Sequence, residues 1–429
     1  FLRRLTDPHD VGTHVLMRYT LRLLTAQQFQ RATGLMCAME YLRRQHPDAL
    51  GEEPFSAGIW VGGDTTPNKR EAALKALLAL EKGQEQSNPF LLTKCPWCGA
   101  QMGPFEHLTA LEEEPKRRPG KSRKSSKLAR KSVSALGYEP RGDTVALHCP
   151  DRACDFRAAL PIYVIDEDLY EHRPSLVIGT VDKFAQLAWR PEARALFGLG
   201  LDGKREVSPP GLIIQDELHL IAGPLGSMTG LFEGVIEELS TDRREGRSIK
   251  PKLVCSTATI RSYRQQVKAL YARDRTELFP PPGLEVADSF FAQYARGPGG
   301  RLSEGRMYVG VNGPGHGSMQ TTQVRTFSAL LQFAKPLPPA EQDPWWTLLT
   351  FFNSLRELGT TVTLFQSDIP DYLKILEGRY GLGKGELRSP WNVKELTGRL
   401  DSEEVPRAIK DLEVTTIDPC GCLSGLQHH

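Results

Sequence analysis

Short apolar segments that alternate with helical patterns place the strongest constraint on the fold of this chain. Five of them have strand character, at residues 15–20, 59–61, 176–178, 211–214 and 252–255. Between them, apolar residues recur at three- and four-residue steps, as at Phe29, Ala32 and Met36, which is typical of helices. Apolar strands separated by helices favour a parallel sheet covered on both faces, so we predict an α/β fold.

Local signals divide the chain further. Thr25 and Gln28 have the spacing of a capping box, which predicts that a helix begins there. Residues 348–352 and 361–365 are apolar and are predicted to be strands of a second α/β unit. We therefore expect a first domain formed by residues 1–92 and 158–275, a connecting region at 276–344 and a partial second domain at 345–429.

Residues 93–157 interrupt the first domain and are predicted to form a small zinc-binding insert. Cys95 and Cys98 are separated by two residues, and Cys149 and Cys154 form a second, wider pair. Without an apolar signal-peptide core such pairs are typical of metal ligands, and four thiolates favour a tetrahedral structural Zn²⁺. His148 is an alternative ligand, and four reduced buried cysteines are the alternative without a metal.

A basic segment lies inside this insert. Residues 116–131 contain nine Lys or Arg residues and no acidic residue, interleaved with Ser, Gly and Pro. This composition predicts a flexible loop that either follows nucleic-acid phosphates or is simply solvated. In the whole chain 54 basic residues nearly balance 52 acidic ones, so the overall charge indicates no nucleic-acid or membrane partner.

Two adjacent carboxylates, Asp216 and Glu217, follow the apolar segment 211–214 after the single residue Gln215. Ligands of parallel α/β sheets bind at the carboxyl ends of strands, and such a pair suits phosphoryl transfer to water. The first carboxylate can hold Mg²⁺ and the second can polarise the attacking water. The alternative is a solvated turn.

A hydroxyl-rich segment follows the next strand-like run. Its residues are Ser256, Thr257, Ala258 and Thr259. Small hydroxyl side chains at this position can form hydrogen bonds across the sheet to the acidic loop and transmit its state. The alternative is an ordinary helix cap.

Taken in order, these motifs resemble those of the superfamily 2 helicases. Asp216-Glu-Leu-His219 is similar to their Asp-Glu-x-His box, and Ser256-Thr-Ala-Thr259 to their Ser-Ala-Thr motif. Thr180-Val-Asp-Lys-Phe184 resembles a segment that grips a nucleic-acid strand, as do Thr20 to Thr25 and Gln28. Thr350-Phe-Phe-Asn-Ser-Leu355 resembles the opening motif of the second motor domain. Within the superfamily, the sequence of these motifs is most similar to that of the helicase subunit of the DISARM anti-phage defence systems.

The resemblance implies RecA-like motor domains, the first nearly complete and the second partial, and an ATP-dependent DNA helicase or translocase. It implies that Asp216 holds Mg²⁺, that Glu217 is the general base, and that His219 with Ser256, Thr257, Ala258 and Thr259 couples nucleotide state to domain closure. The nucleic-acid-binding residues implied are Arg22, Thr25, Gln28, Thr180 and Lys183. The expected partners are DNA with single strands or exposed ends and a second DISARM subunit.

Two departures from the family pattern lead to further expectations. The 429 residues contain no Gly-x-x-x-x-Gly-Lys-Ser/Thr loop, which cradles the phosphates of ATP, and no arginine motif that completes the site. We expect the chain to be a piece of a longer protein that hydrolyses ATP poorly by itself. The alternative function is a non-hydrolysing module that binds nucleic acid or a partner on a helicase-like fold, and a metal-dependent hydrolase or nuclease is a weaker third.

The compartment is predicted from what the sequence lacks. No run approaches the ~18 apolar residues that a membrane span requires, so no membrane association is expected. The chain opens Phe-Leu-Arg-Arg, without a signal-peptide core, which predicts a cytoplasmic protein.

Overall fold

The computed structural model describes residues 1–397 except 21, 85–87, 110–129, 259–261, 282, 286–287, 384 and 389–392. The chain divides into two compact units, Phe1–Glu277 and Leu278–His429. Among the described residues, no helix combines the length and the apolar composition that crossing a membrane requires.

The first unit contains the parallel sheet that the alternating pattern predicts. Its strands are β1 (Val15–Tyr19), β2 (Ala57–Trp60), β3 (Gly103–Thr109), β4 (Arg130–Leu136), β5 (Tyr138–Arg141), β6 (Thr144–Leu147), β7 (Ile162–Tyr163), β8 (Leu176–Thr180), β9 (Leu212–Gln215) and β10 (Lys252–Cys255). Six of them form one sheet in the order β10-β9-β1-β8-β2-β7, and every pairing is parallel. Strands β3 with β4 and β5 with β6 form two antiparallel hairpins. The α/β prediction is confirmed.

Helices cover this sheet. They are α1 (Leu2–Thr6), α2 (Arg22–Gln45), α3 (Pro47–Leu50), α4 (Arg70–Glu81), α5 (Asp166–His172), α6 (Gly223–Ser240) and α7 (Tyr263–Tyr271). Shorter 3₁₀ helices occupy Val181–Ala188, Pro191–Phe197, Leu218–Leu220 and Arg244–Gly246.

Helix α2 begins earlier than the capping-box spacing predicts. It starts at Arg22, so Thr25 lies inside the helix and does not cap it. Thr25 is fully buried, and α2 packs on β1, β2 and β8. Packing against the sheet therefore overrides the local capping signal, and this prediction was wrong.

The core lies on both faces of the sheet because alternate residues of a strand point to opposite sides. Ile59 and Ile178 pack on one face in a cluster that includes Phe29 of α2. Trp60 and Val177, their chain neighbours, pack on the other face in a cluster that includes Ile236 of α6.

The regular secondary structure in the described residues of the second unit is helical. The helices are α8 (Met319–Ala334), α9 (Pro339–Trp346), α10 (Leu355–Gln366) and α11 (Asp368–Tyr380), with 3₁₀ turns at Pro298–Gly300 and Pro314–His316. The core of this unit includes Leu331, Leu364, Ile369 and Leu373.

Both strand predictions in the second unit were wrong. Residues 348–352 have no regular structure, and residues 361–365 lie in α10. The Ser354 side chain accepts a hydrogen bond from the Glu357 N–H and starts this helix, which buries Thr361 and Leu364 on one face at a spacing of three residues. The described residues of this unit contain no strand, and a second RecA-like domain stays a prediction.

Candidate functional site

The acidic loop lies at the carboxyl edge of the sheet, where β9 ends at Gln215. Neighbouring strands hold its backbone on both sides: the Asp216 N–H donates to the Arg18 carbonyl of β1 at 2.9 Å. On the other side, the Leu218 N–H donates to the Ser256 carbonyl at 3.0 Å. Glu217 adopts a left-handed conformation with φ of 52°, which is rare for a residue with a side chain. The sheet register therefore fixes this loop.

Asp216 is bonded across the sheet to the hydroxyl-rich segment. Its Oδ1 accepts the hydroxyl of Ser256 and, at 2.9 Å, the N–H of Glu217. The Tyr19 hydroxyl lies beside the same carboxylate, and burial together with the charge of Asp216 raises the pKa of Tyr19 to about 12. A carboxylate oxygen is a ligand that Mg²⁺ prefers, so Asp216 could supply one ligand to a magnesium ion whose other ligands are water and phosphate oxygens.

Glu217, His219 and Thr257 form a second contact across the same two strands. The Nδ1 atom of His219 lies 3.3 Å from Oε2 of Glu217 and 3.3 Å from the Thr257 hydroxyl. The Glu217 and His219 side chains are 34% and 35% exposed, so both are accessible to a ligand. The structure thus brings together five of the residues predicted for this site. Thr259 lies outside the described residues, and the exposed Ala258 has no polar group.

A buried ion pair lies in the interior next to this loop. It was not predicted from the sequence. Arg18, the penultimate residue of β1, is fully buried, and its Nη1 lies 2.6 Å from Oε1 of Glu233 on α6. The guanidinium also lies 5.5 Å from the centre of the Phe184 ring. The one sequence signal for this contact is an arginine inside the otherwise apolar run Val-Leu-Met-Arg-Tyr.

Gln266 on α7 was also missed. Its Nε2 donates to the carbonyls of Leu218 at 2.9 Å and Ile221 at 2.8 Å. These carbonyls belong to the turn that follows Asp216 and Glu217, so the contact fixes the backbone of this turn against α7. Nothing in the local sequence around Gln266 indicates this long-range contact.

Lys183 lies inside the fold. It is 2% exposed, and its Nζ lies 2.7 Å from Oδ2 of Asp166 and 3.0 Å from Oδ1 of Asn68. Burial raises the pKa of Asp166 to about 6, an effect that the adjacent ammonium of Lys183 opposes. This placement does not fit the implied contact of Lys183 with a nucleic-acid phosphate, because the ammonium already has two protein partners.

The other residues implied for strand binding divide into three groups. Thr25 and Thr180 are fully buried, although β8 ends at Thr180 on the same sheet edge. Gln28 is half-buried on α2. The side chain of Arg22 and residues 116–129 of the basic loop lie outside the described residues.

The four predicted cysteines come together. Their sulfur atoms all lie within 4.8 Å of one another, with 3.4 Å between Cys98 and Cys149 and 4.0 Å between Cys95 and Cys154. Zinc–sulfur bonds of about 2.3 Å in a tetrahedron require sulfur atoms about 3.8 Å apart, so the donor set fits Zn²⁺. The predicted clustering is confirmed.

The backbone around the cysteines has the form of two metal knuckles. The Gly99 N–H donates to the Cys95 carbonyl at 2.9 Å, and Gly99 has a φ of 79° that favours glycine. Burial raises the pKa of the Cys154 thiol to about 11, so metal binding must displace its proton at neutral pH. His148 points to other partners, with Nδ1 at 3.2 Å from the Cys149 carbonyl.

Comparison with known proteins identifies a relative. No family model matches the chain. The DISARM protein DrmA of Bacillus paralicheniformis (strain ATCC 9945a / NCIMB 11709 / CD-2) is 36% identical over 447 aligned residues, which cover 94% of this chain. The chain is a relative of DrmA. It spans 36% of the length of that protein, and because the match covers 94% of the chain, the relationship with DrmA includes residues of both units. The predicted similarity to the DISARM protein DrmA is thus confirmed.

Proposed function

We propose that this chain carries the catalytic acidic loop of an ATP-dependent DNA helicase or translocase in a DISARM-type defence system. The observation that carries the proposal is the pair of contacts between neighbouring strands, Asp216 with Ser256 and His219 with Thr257. An isolated surface turn needs no such links. A loop whose state is transmitted to the next strand does, as the resemblance to superfamily 2 helicases implies.

The roles that we assign are those that the resemblance to superfamily 2 helicases implies, and the contacts of the acidic loop support them. Mg²⁺–ATP, when bound, supplies the electrophilic phosphorus and a leaving group whose charge the metal compensates. The Asp216 carboxylate would hold the metal, directly or through water. Glu217 accepts a proton from the water that attacks the γ-phosphorus, as the bond to ADP breaks. His219 contacts both Glu217 and Thr257. A movement of Glu217 would therefore be transmitted through His219 to the segment that follows β10.

The DrmA relationship supports the wider assignment. We infer that the substrate is DNA with a single-stranded region or an exposed end, that a second DISARM subunit is the partner, and that a structural Zn²⁺ occupies the cysteine cluster. Among the described residues, the four cysteines are the only group of three or more ligating side chains close enough for a metal. A metal-dependent nuclease at Asp216 therefore has little support.

The test is Glu217→Gln in the full-length protein. We expect DNA-stimulated ATP hydrolysis to fall by roughly 10²- to 10⁴-fold, the usual contribution of general acid–base catalysis, while ATP and DNA affinity stay unchanged. Glu238→Gln is the matched control, because Glu238 is an exposed carboxylate on α6 paired with Arg243. Turnover that survives Glu217→Gln, or binding lost along with it, would reject the assigned role.

The alternative is a binding module that hydrolyses nothing. A full-length protein that binds DNA with unchanged affinity in the presence and absence of ATP, and that has no measurable ATP hydrolysis, would support this function over the motor.

A further inference from the structure

The zinc module contains the four cysteines and the two hairpins between them, and it is built into the core of the first unit. Cys95, Cys149 and Cys154 belong to the same buried cluster as Ile59 of the central sheet and Phe29 of α2. An independent insert would have a core of its own. The cysteine site is therefore placed to act on the sheet and on α2.

The first metal knuckle packs on the middle of α2. A side chain at Gly34 would place its Cβ 3.4 Å from the carbonyl oxygen of Pro96, which follows the ligand Cys95. About two turns after Gly34 along α2, the Tyr41 ring lies 5.0 Å from the ring of Trp97. Pro96 and Trp97 are the two residues between Cys95 and Cys98, so the metal ligands determine where they lie.

The second knuckle packs on the end of the same helix. Arg44 lies over the Phe156 ring, 4.6 Å from its centre, and donates to the Asp155 carbonyl at 3.1 Å. Asp155 directly follows the ligand Cys154, and its Oδ2 accepts the Trp97 indole N–H at 2.9 Å. The two knuckles are thus linked to each other and to α2 from Gly34 to Arg44.

Helix α2 is connected to the acidic loop through β1. It follows β1, whose last residue, Tyr19, lies beside Asp216. It packs along β1, β2 and β8, three of the strands whose carboxyl ends form the candidate site and its flank. The position of α2 is thus coupled to the edge at which nucleotide and nucleic acid are proposed to bind.

We propose that the metal bound by Cys95, Cys98, Cys149 and Cys154 is a clamp on helix α2, and that it acts on the acidic loop through β1. With Zn²⁺ the four thiolates draw the two knuckles together, and Trp97 and Phe156 hold Tyr41 and Arg44. Without it the thiols have no common partner, and the knuckles release α2. The effect on DNA binding rests on the proposed function, whereas the clamp itself does not.

The test measures hydrogen exchange of the full-length protein with its zinc and after removal of zinc by a chelator. Peptides from Arg22–Gln45 should exchange at least about tenfold faster without zinc, as expected when a local contact opens. Peptides from Met319–Ala334 in the second unit should not change. Unchanged exchange in α2 after zinc is lost would overturn the proposal.

Two variants separate the clamp from metal binding itself. Trp97→Ala removes the contacts of the first knuckle with Tyr41 and Asp155. Arg44→Met removes the contacts of α2 with Phe156 and Asp155, together with the ion pair between Arg44 and Glu40. Both variants keep all four cysteines, so one zinc per chain should remain while α2 exchange rises. Trp189→Ala is the matched control, because Trp189 is 66% exposed and lies outside the zinc module. If both variants keep zinc and leave α2 exchange at the wild-type rate, the clamp is wrong.

DNA affinity of the same zinc-loaded variants distinguishes the clamp from the proposed function. Faster α2 exchange with weaker DNA binding supports both proposals. Faster exchange in a protein whose wild type binds no DNA leaves the clamp standing and rejects the motor. Wild-type exchange with weaker DNA binding rejects the clamp and indicates that Trp97 contacts DNA directly.

Discussion

Arg18 and Glu233 form an ion pair in the interior of the first unit, with 2.6 Å between Nη1 and Oε1 and side chains 1% and 5% exposed. The carbonyl of the same Arg18 accepts the N–H of Asp216. Glu233 belongs to α6, the helix that follows the acidic loop. The pair therefore connects the strand that holds the start of the loop to the helix that begins at its end.

Breaking this pair is expected to cost more than replacing it. Glu233→Ala leaves a buried guanidinium without its partner and should lower the free energy of unfolding by about 3–5 kcal/mol. The double variant Arg18→Met with Glu233→Leu removes both charges and should be clearly more stable than Glu233→Ala. Urea denaturation of the three proteins measures this. A double variant no more stable than Glu233→Ala would contradict the ion-pair interpretation.

Thr257→Val tests the contact between strands without disturbing the core. Thr257 is exposed and valine has nearly its shape, so stability should change by less than about 0.5 kcal/mol. Because the hydrogen bond to His219 is lost, DNA-stimulated ATP hydrolysis by the full-length protein should fall on the order of tenfold, with ATP affinity retained. Steady-state kinetics with and without DNA provide the measurement. Equal loss of the basal rate and the stimulated rate would argue against a coupling role.

Lys183→Met separates a structural lysine from a phosphate-binding one. The variant leaves Asp166 buried without its partner, so the free energy of unfolding at pH 7 should fall by a few kcal/mol, of order 3. The slope of DNA affinity against salt should stay unchanged. A lysine that neutralises a phosphate would instead reduce that slope by about one. Affinity measured at several salt concentrations decides between the two roles.

His14 should make the first unit less stable in acid. Burial, with help from the charge of Arg3, lowers the pKa of His14 to about 4, although the carboxylate of Asp10 partly opposes this. The unfolded histidine, with its usual pKa near 6.5, binds a proton more readily, so stability falls as the pH drops from about 6.5 to about 4.

His14→Gln removes this term. From pH 7 to pH 4 the wild type should lose roughly 3 kcal/mol of unfolding free energy through His14, because its pKa is about two and a half units lower in the folded state than in the unfolded state. The variant should not show this loss. Urea denaturation of both proteins at the two pH values measures the difference, and the other titrating groups are common to both. A constant difference would show that the pKa of His14 is the same in the folded and the unfolded protein.

Several elements could be predicted because their signals are local. The strands at Leu176–Thr180 and Lys252–Cys255 are apolar runs bounded by polar residues, and parallel strands with buried faces require that composition. Asp216 and Ser256 each follow such a run, so both were expected at the same sheet edge. The close spacing within each cysteine pair indicates a metal site in the same way.

The second unit shows where a local apolar pattern is ambiguous. Residues 361–365 are compatible with a strand or a buried helix, because short apolar runs satisfy both periods. The helix forms because Ser354 caps it and because Thr361 and Leu364 find a core at helical spacing. The strand prediction was wrong because the local sequence does not show the core residues against which Thr361 and Leu364 pack.

The sequence by itself determined five strands of the parallel sheet, the acidic loop at their carboxyl ends and the two cysteine pairs, since each depends on neighbours within a few residues. Only the tertiary structure decided that Lys183 pairs with Asp166 in the interior, that Arg18 meets Glu233 from 215 residues away, and that the zinc module lies along α2. The physical reason is that an ion pair or a packed ring requires two surfaces to meet. That meeting depends on sheet register and helix packing, which no short segment of sequence specifies.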